Sequence, residues 1–235
     1  MADSRDAADI YWVEPRQRAI LPLDRFHCSR SLARSLRSGR FTVTLNQAFD
    51  EVIASCADRG ETWINSAIEQ ATRQLHHVGH AHSIECWEDD RLVGGLYGVK
   101  LGRAFFGESM FSHVTDASKV ALAWLVARMR AGHFILLDCQ FMTDHLASLG
   151  AIEIPRADYA ALLGSALGTG TSGSGASSPG SAAGRSPADR DVVEDELLLA
   201  RPDFGVLDRL LEAAGAAGAP GPAGQFIAQL LGQTS

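Results

Sequence analysis

The sequence lacks long apolar runs, paired cysteine motifs and an overall excess of basic charge. No apolar stretch approaches the ~18 residues that a membrane-spanning helix needs. The beginning of the chain also lacks the basic-then-apolar pattern of a secretory signal. The four cysteines stand singly, without a CxxC pair, as is typical of reduced thiols rather than of a disulfide framework. These absences predict a cytosolic protein with no membrane partner.

The net charge of -7 argues against a surface coated for non-specific nucleic-acid binding. Its distribution is uneven, because seven arginines and one acid lie between residues 16 and 40. The spacing predicts a helix here that displays Arg30, Arg34 and Arg37 on one face. This face is either an ordinary solvated helix surface or a stripe of phosphate contacts.

The hydrophobic periodicity predicts an α+β fold in which helices cover a mixed sheet. The predicted strands are 41–45, 83–87, 92–99, 104–106, 134–139 and 151–154, and the predicted helices are 48–56, 65–77, 117–131, 143–150 and 157–163. The order of these elements and the composition then divide the chain into a small N-terminal α/β portion (1–82), a domain of strands and helices (83–163), a flexible Gly/Ser-rich linker (164–190) and short C-terminal helices (191–235).

Polar residues interrupt two segments that otherwise have the character of buried strands. Glu108 follows two aromatic residues and a glycine, and Asp138, Cys139 and Gln140 end the apolar run that begins at Phe134. Because an unpaired buried carboxylate is costly, Glu108 is expected to be paired, at a cavity wall or at a strand end. Polar strand ends beside an apolar sheet predict a pocket.

Four histidines lie close together in the segment HHVGHAH. A metal site is one interpretation, but no carboxylate or thiolate stands at ligand spacing, and Gly79 breaks the helical i, i+4 geometry. Polar contacts at a helix end and in a loop are the preferred interpretation. The sequence therefore predicts neither a metal nor a cofactor.

Several longer motifs carry a resemblance to a known family. They are HCSRSL, TWI, GHAHSIE, LVGGLYGV, FFGESMFS, ASKVAL, DCQ and HLASLGA, within residues 12–159. In these motifs the chain resembles the leucyl/phenylalanyl-tRNA protein transferases. The resemblance implies a domain similar to the GNAT acyltransferases. It also implies transfer of Leu, Phe or Met from aminoacyl-tRNA to the N-terminal Arg or Lys of a protein, which marks that protein for degradation.

The resemblance assigns roles to individual residues. The expected catalytic residues are Asp138, Gln140 and Glu108. The residues expected to bind the aminoacyl-adenosine end are Trp63, near the terminal adenosine, and the pocket residues Leu96, Phe105, Met110, Leu125 and Met129. Each of the five pocket residues, taken singly, has the character of ordinary core. The expected tRNA-binding residues are Arg30, Arg34 and Arg37. We expect Asp138 to polarise Gln140, whose carbonyl oxygen orients the attacking amine, with positioning supplying most of the rate.

The chain departs from the family pattern in two respects. Members usually carry a preceding portion with a GGDL-type segment and a GIFPW or GIFPM stretch, and this sequence begins at Met1 without them. The aminoacyl-adenosine site is therefore expected to be incomplete. Thr72 also stands where the family commonly has a tyrosine.

Two other functions remain as alternatives. A non-catalytic tRNA-binding or degradation-tagging module would keep the fold without activity, but it would not need Glu108, Asp138 and Gln140 together. An acyl-CoA-dependent GNAT enzyme would need a glycine-rich loop before its helix, and the segment SHVTDASK offers none.

Overall fold

The computed structural model describes residues 1–60, 62–168 and 202–232. Its strands are β1 (Gln17–Ile20), β2 (Thr42–Leu45), β3 (Ala81–Glu88), β4 (Arg91–Leu101), β5 (Ala104–Ser112), β6 (Leu136–Gln140) and β7 (Ile152–Pro155). They form one sheet in the order β2-β3-β4-β5-β6-β1-β7. Neighbouring strands are antiparallel except for β5 and β6, which are parallel. The predicted mixed sheet is confirmed.

Helices cover both faces of the sheet. They are α1 (Arg30–Arg37), α2 (Phe49–Ala57), α3 (Ser66–His77), α4 (Ala117–Ala131), α5 (Asp144–Ser148), α6 (Arg156–Ala166), α7 (Val206–Ala213) and α8 (Pro220–Gly232). Consecutive strand residues point to opposite faces. Leu96 accordingly packs in the core beneath α4, and Tyr97 packs in the separate core beneath α2.

Short polar side chains begin several helices as the sequence predicts. The Ser29 hydroxyl accepts the Leu32 amide at 3.2 Å and begins α1. α4 begins differently, because Asp116, the residue before it, has a φ of 72° and its side chain makes no capping bond. The Ser112 hydroxyl accepts the Ser118 amide instead, at 3.2 Å.

Two strands differ from the sequence prediction. β5 continues through Glu108 to Ser112, because β4 pairs with it along that whole length. β1 is a strand that periodicity does not reveal, since it has only four residues and owes its conformation to pairing with β6 and β7. β1 thereby brings the beginning of the chain beside the end of β6.

The segment 202–232 packs against the body of the protein. Arg128 of α4 forms a bidentate ion pair with Asp208 at 2.7 and 2.6 Å and donates to the Phe204 carbonyl at 2.6 Å. α8 lies so close to α1 that a Cβ on Gly224 would stand 1.8 Å from the Leu36 carbonyl oxygen. Buried leucines of α7 and α8 complete the core beneath α4.

Parts of the sequence prediction fall outside the described residues. Of the predicted linker 164–190, residues 169–190 lie outside the described part of the chain, and residues 164–166 belong to α6. The same holds for residues 191–201 and 233–235 of the predicted C-terminal helices. Among the described residues, no helix has the length and apolar character needed to cross a membrane.

Candidate active site

A cavity of about 390 Å³ lies beside the parallel strands β5 and β6. The two strands pair only where Ala104–Phe106 of β5 lies beside Leu136–Asp138 of β6, and both strands continue beyond this paired segment. Gly107 to Met110 of β5 and Cys139 to Gln140 of β6 line the cavity where this pairing has ended. Its size falls within the range of small-molecule sites. The strand ends thus form the pocket that the sequence predicts there.

A β-bulge interrupts each of these strands at the cavity. In β5, Ser109 pairs with Tyr97 and Gly107 with Gly98, which leaves Glu108 as the extra residue. In β6, Cys139 is the extra residue in the pairing with β1. A bulge bends its strand and redirects a side chain. Glu108 is therefore part of a strand and of the cavity wall at the same time.

Glu108 and Gln140 meet across the gap between the strands. The Gln140 side-chain amide donates to Glu108 Oε2 at 3.0 Å and to the Gly107 carbonyl at 3.4 Å. Within the described residues, no hydrogen bond uses the Gln140 amide oxygen. Because Glu108 fixes which end of the amide faces it, that oxygen remains available to a bound group.

Asp138 lies behind Gln140 and does not line the cavity. Its carboxylate is fully buried and accepts Arg18 Nε at 3.0 Å, Arg18 Nη2 at 2.7 Å and the Tyr159 hydroxyl at 2.7 Å. It also accepts the backbone amide of Gln140 at 2.7 Å. The contact to Gln140 is thus through the main chain, and the carboxylate that orients the Gln140 side chain is Glu108.

The predicted aminoacyl-binding residues fall into two groups. Trp63, Leu96, Met110 and Leu125 line the cavity together with Leu122, Leu137 and Leu146. Phe105 and Met129 are fully buried in the adjoining core and are not part of the cavity wall. Thr72, where the family commonly has tyrosine, donates its hydroxyl to the Ile68 carbonyl of its own helix.

Burial raises the pKa of two side chains in the cavity wall. Burial is the main cause that raises the pKa of Glu108, and the hydrogen bond from Gln140 lowers it. The negative charge of Asp138 also raises this pKa, and the positive charge of Arg18 lowers it. Burial also raises the pKa of Cys139 to about 12. Cys139 is therefore a neutral thiol near neutral pH and not an activated nucleophile.

Sequence reasoning missed the roles of Arg18, Tyr159 and Arg59. It counted Arg18 only as one of the seven arginines between residues 16 and 40, whereas the Arg18 guanidinium contacts the buried Asp138. A fully buried aspartate calls for a cationic partner, and Arg18 stands directly before the apolar run AIL. Arg59 lines the cavity and donates to the Ser109 hydroxyl at 3.2 Å and to the Met110 carbonyl.

The three arginines of α1 are exposed, as the sequence predicts. In the part of the chain that the structure describes, none of Arg30, Arg34 and Arg37 forms an ion pair. Their charges are therefore not neutralised by described carboxylates. They lie on a single helix whose opposite side packs against α8 and α4.

The clustered histidines contact protein groups. His76 stacks on Phe49 with ring centroids 3.8 Å apart, and its Nδ1 lies 2.9 Å from the Ala81 carbonyl. His82 contacts Asn46 at 3.0 Å, and burial is the main cause that lowers its pKa to about 4. No cluster of three potential metal ligands occurs within residues 1–60, 62–168 and 202–232.

A second cavity of about 380 Å³ lies between β2 and the connection from α7 to α8. Its wall includes Arg128 and Asp208 but none of the residues that the sequence assigns to a site. The candidate chemistry is thus concentrated at the end of the β5–β6 pair.

Comparison with known proteins agrees with the motifs. A family model for leucyl/phenylalanyl-tRNA protein transferase matches residues 20–164. The protein of that name from Rhizorhabdus wittichii is 59% identical over 100% of this chain and 92% of its own length. The one from Zymomonas mobilis is 64% identical over 71% of this chain and 64% of its own. The one from Cereibacter sphaeroides is 64% identical over 71% of this chain and 78% of its own length.

Among solved structures, L-PGS from Bacillus licheniformis has a TM-score of 0.39 and 12% identity, over 56% of this chain and 50% of its own. The family match covers more than half of the chain, and the Rhizorhabdus relative covers all of it. On this evidence, the chain belongs to the leucyl/phenylalanyl-tRNA protein transferase family and is an aminoacyltransferase.

Proposed function

We propose that this enzyme transfers Leu, Phe or Met from aminoacyl-tRNA to the N-terminal Arg or Lys of acceptor proteins and thereby marks them for degradation. The observation that supports this most directly is the Glu108–Gln140 contact at the wall of a largely apolar cavity. The apolar side, with Leu96, Met110 and Leu125, suits an unbranched or γ-branched side chain. Trp63 offers a face on which the terminal adenosine stacks.

The aminoacyl ester of the tRNA is already activated, so the reaction mainly needs the acceptor amine to be oriented. The acceptor amine attacks the ester carbonyl carbon, a C–N bond forms, the bond to the ribose oxygen breaks, and the departing oxygen gains the proton that the amine loses. An amide does not take a proton near neutral pH, so Gln140 acts by accepting a hydrogen bond from the amine. Glu108 holds the Gln140 amide in the orientation that presents its oxygen. Positioning therefore supplies most of the rate.

Asp138 acts in this scheme by holding Gln140. All of its described partners are hydrogen-bond donors, and it is absent from the cavity wall. A carboxylate so enclosed is not placed to receive a proton from the incoming amine. The sequence-based role for Asp138, polarising the Gln140 side chain, is replaced in this proposal by anchoring of the Gln140 backbone.

The arginine face of α1 is the proposed contact for the tRNA backbone. Arg30, Arg34 and Arg37 are exposed and project from one helix. Each phosphate contact that is removed should reduce the salt dependence of tRNA binding by about one unit of slope. Titrations of charged tRNA at several salt concentrations on Arg34→Ala and wild type test this, and an unchanged slope would assign the face to solvent.

We further propose that the fold is GNAT-like and that residues 83–163 carry the catalytic chemistry, with residues 1–82 facing the tRNA. The parallel β5–β6 pair with its short pairing and adjacent cavity supports the first part. The positions of Glu108 and Gln140 support the second. A cytoplasmic location follows from the proposed use of aminoacyl-tRNA.

The decisive experiment measures transfer of radiolabelled Leu, Phe and Met from charged tRNA. The acceptors are three peptides that differ only in beginning with Arg, Lys or Ala. The proposal predicts labelling of the first two and not of the third. Labelling of none, with tight binding of charged tRNA, would instead favour the non-catalytic tRNA-binding module.

A further inference from the structure

Two residues outside the cavity wall, Arg18 and Tyr159, hold the Asp138 carboxylate, which in turn binds the Gln140 backbone amide. Arg18 reaches Asp138 from β1, and Tyr159 reaches it from α6. The Arg18 guanidinium also lies over the Tyr159 ring, 5.1 Å from its centroid. Asp138, Arg18 and Tyr159 thus contact one another in pairs and come from three different elements of the fold.

The buried Asp138 carboxylate needs both Arg18 and Tyr159 as hydrogen-bond donors. The Asp138 side chain has no exposed surface, whereas that of Arg18 is 20% exposed. A buried carboxylate is tolerated only when a cation and further donors satisfy its oxygens. Arg18 supplies the cation and Tyr159 a neutral donor, which together leave Oδ1 oriented toward the Gln140 amide.

Gln140 needs such an anchor because its backbone is strained. It has a φ of 64°, in the left-handed region that residues with a Cβ rarely occupy. It also follows directly on the bulge at Cys139, where the register with β1 shifts before Gln140 pairs with Ala19. Its backbone bond to Asp138 is 2.7 Å long and is the contact that opposes relaxation.

We propose that Arg18 and Tyr159 are positioning residues of the transfer reaction. They fix the Asp138 carboxylate, which fixes the Gln140 backbone in its left-handed conformation, and this places the Gln140 amide against Glu108. Neither residue touches the substrate in this scheme. The inference rests on the proposed function for its kinetic consequence, but the structural anchor exists independently of it.

The test uses two conservative variants of the whole chain. Arg18→Lys keeps the charge but loses the planar bidentate geometry, and Tyr159→Phe removes only the hydroxyl. Each should lower kcat about tenfold or more, the effect of losing one well-placed hydrogen bond, with the KM for aminoacyl-tRNA within about twofold. Hydrogen exchange of the Gln140 backbone amide should accelerate in both.

Arg128→Lys is the matched control, because it disturbs the other Arg–Asp pair with a buried member, and neither Arg128 nor Asp208 lines the cavity at the β5–β6 pair. It should lower thermal stability without changing kcat or the exchange rate of the Gln140 amide. Should Arg18→Lys fail to fold, Tyr159→Phe carries the same test with a smaller perturbation.

The outcomes separate this inference from the proposed function. Slower turnover with faster Gln140 exchange supports it. Unchanged Gln140 exchange in folded variants, or a raised KM with unchanged kcat, overturns it. A wild type that transfers no amino acid refutes the proposed function alone, because the exchange measurement still decides whether Arg18 and Tyr159 hold Gln140.

Discussion

Two of the described Arg–Asp pairs, Arg18–Asp138 and Arg128–Asp208, each have one fully or almost fully buried member, which is the carboxylate in the first and the guanidinium in the second. In the Arg18–Asp138 pair, the carboxylate has no exposed surface and the guanidinium is 20% exposed. In the Arg128–Asp208 pair, the guanidinium is 2% exposed and the carboxylate is 46% exposed. Both pairs are short, at 2.7 and 2.6 Å between the closest nitrogen and oxygen atoms.

The buried member of each pair binds a different part of the protein. The buried member of the first pair, Asp138, has a spare oxygen lone pair that binds the Gln140 backbone beside the cavity. The buried member of the second, Arg128, has further donors that bind the Phe204 carbonyl and hold α7 on α4. We therefore expect the first pair to be important for turnover and the second for stability.

Asp138→Ala should produce the largest effect, a loss of turnover of about 10²–10³-fold, comparable to removing one key stabilising group from an active site. The physical reason is that the Gln140 backbone loses its anchor. The dissociation constant of aminoacyl-tRNA should change little, because Asp138 is not in the cavity wall. Single-turnover kinetics and tRNA binding measure the two quantities. Weaker tRNA binding with unchanged turnover would contradict the assigned role.

Asp208→Ala should behave in the opposite way. It leaves the buried Arg128 guanidinium without its carboxylate, and we expect a loss of about 2–3 kcal/mol in unfolding free energy, somewhat below the full cost for a pair buried on both sides. Turnover at temperatures where the variant is folded should equal that of wild type. Urea denaturation and the transfer assay check this, and lost turnover in a folded variant would show that the Arg128–Asp208 pair also serves turnover.

Gly224→Ala should destabilise the packing of α8 on α1, which holds the C-terminal segment on the body of the protein. Its Cβ would stand 1.8 Å from the Leu36 carbonyl oxygen, so α8 has to move away from α1. We expect a destabilisation of about 1–3 kcal/mol, as for other overpacked contacts. Gly221→Ala, on the same helix, is the control, since a Cβ there meets nothing within 4 Å. Equal denaturation midpoints for the two variants would exclude tight packing of α8 on α1.

Glu108→Gln should give the smallest effect, a pH-dependent gain in stability. Burial raises the folded-state pKa of Glu108, so the native protein holds this proton more tightly than the unfolded chain. The wild type therefore loses stability as the pH rises from 4.5, the ordinary pKa of a glutamate side chain, through the raised pKa of the folded state. The variant lacks this loss, and its advantage in urea denaturation should grow over that interval. A difference independent of pH would contradict the assignment.

Much of the fold could be predicted from sequence, because most elements carry a regular apolar period. α1 is an example, since Leu32 and Leu36 are four residues apart and both are buried in the structure. β1 could not be predicted, since QRAI has no alternation and becomes a strand only by pairing on both sides. For the same reason, the sequence pattern did not reveal that Arg18 contacts Asp138.

The site could be predicted in part. Glu108 and Gln140 stand out because polar residues interrupt apolar strands, and the structure brings them together. The bulges that aim Glu108 and Gln140 arise from the register between strands, which no local pattern encodes. Phe105 and Met129 have the apolar character of pocket residues, but the structure places them in the core behind the wall. Sequence does not distinguish these two locations.

The measurement that tests the central claim most directly is the single-turnover rate of Leu transfer from Leu-tRNA to a peptide beginning with Arg, for wild type and Gln140→Ala. The account predicts transfer by the wild type and a rate at least about 100-fold slower in the variant, because an amine without its hydrogen-bond acceptor is poorly oriented. Binding of Leu-tRNA should remain the same. Equal rates for the two proteins would contradict the role of Gln140.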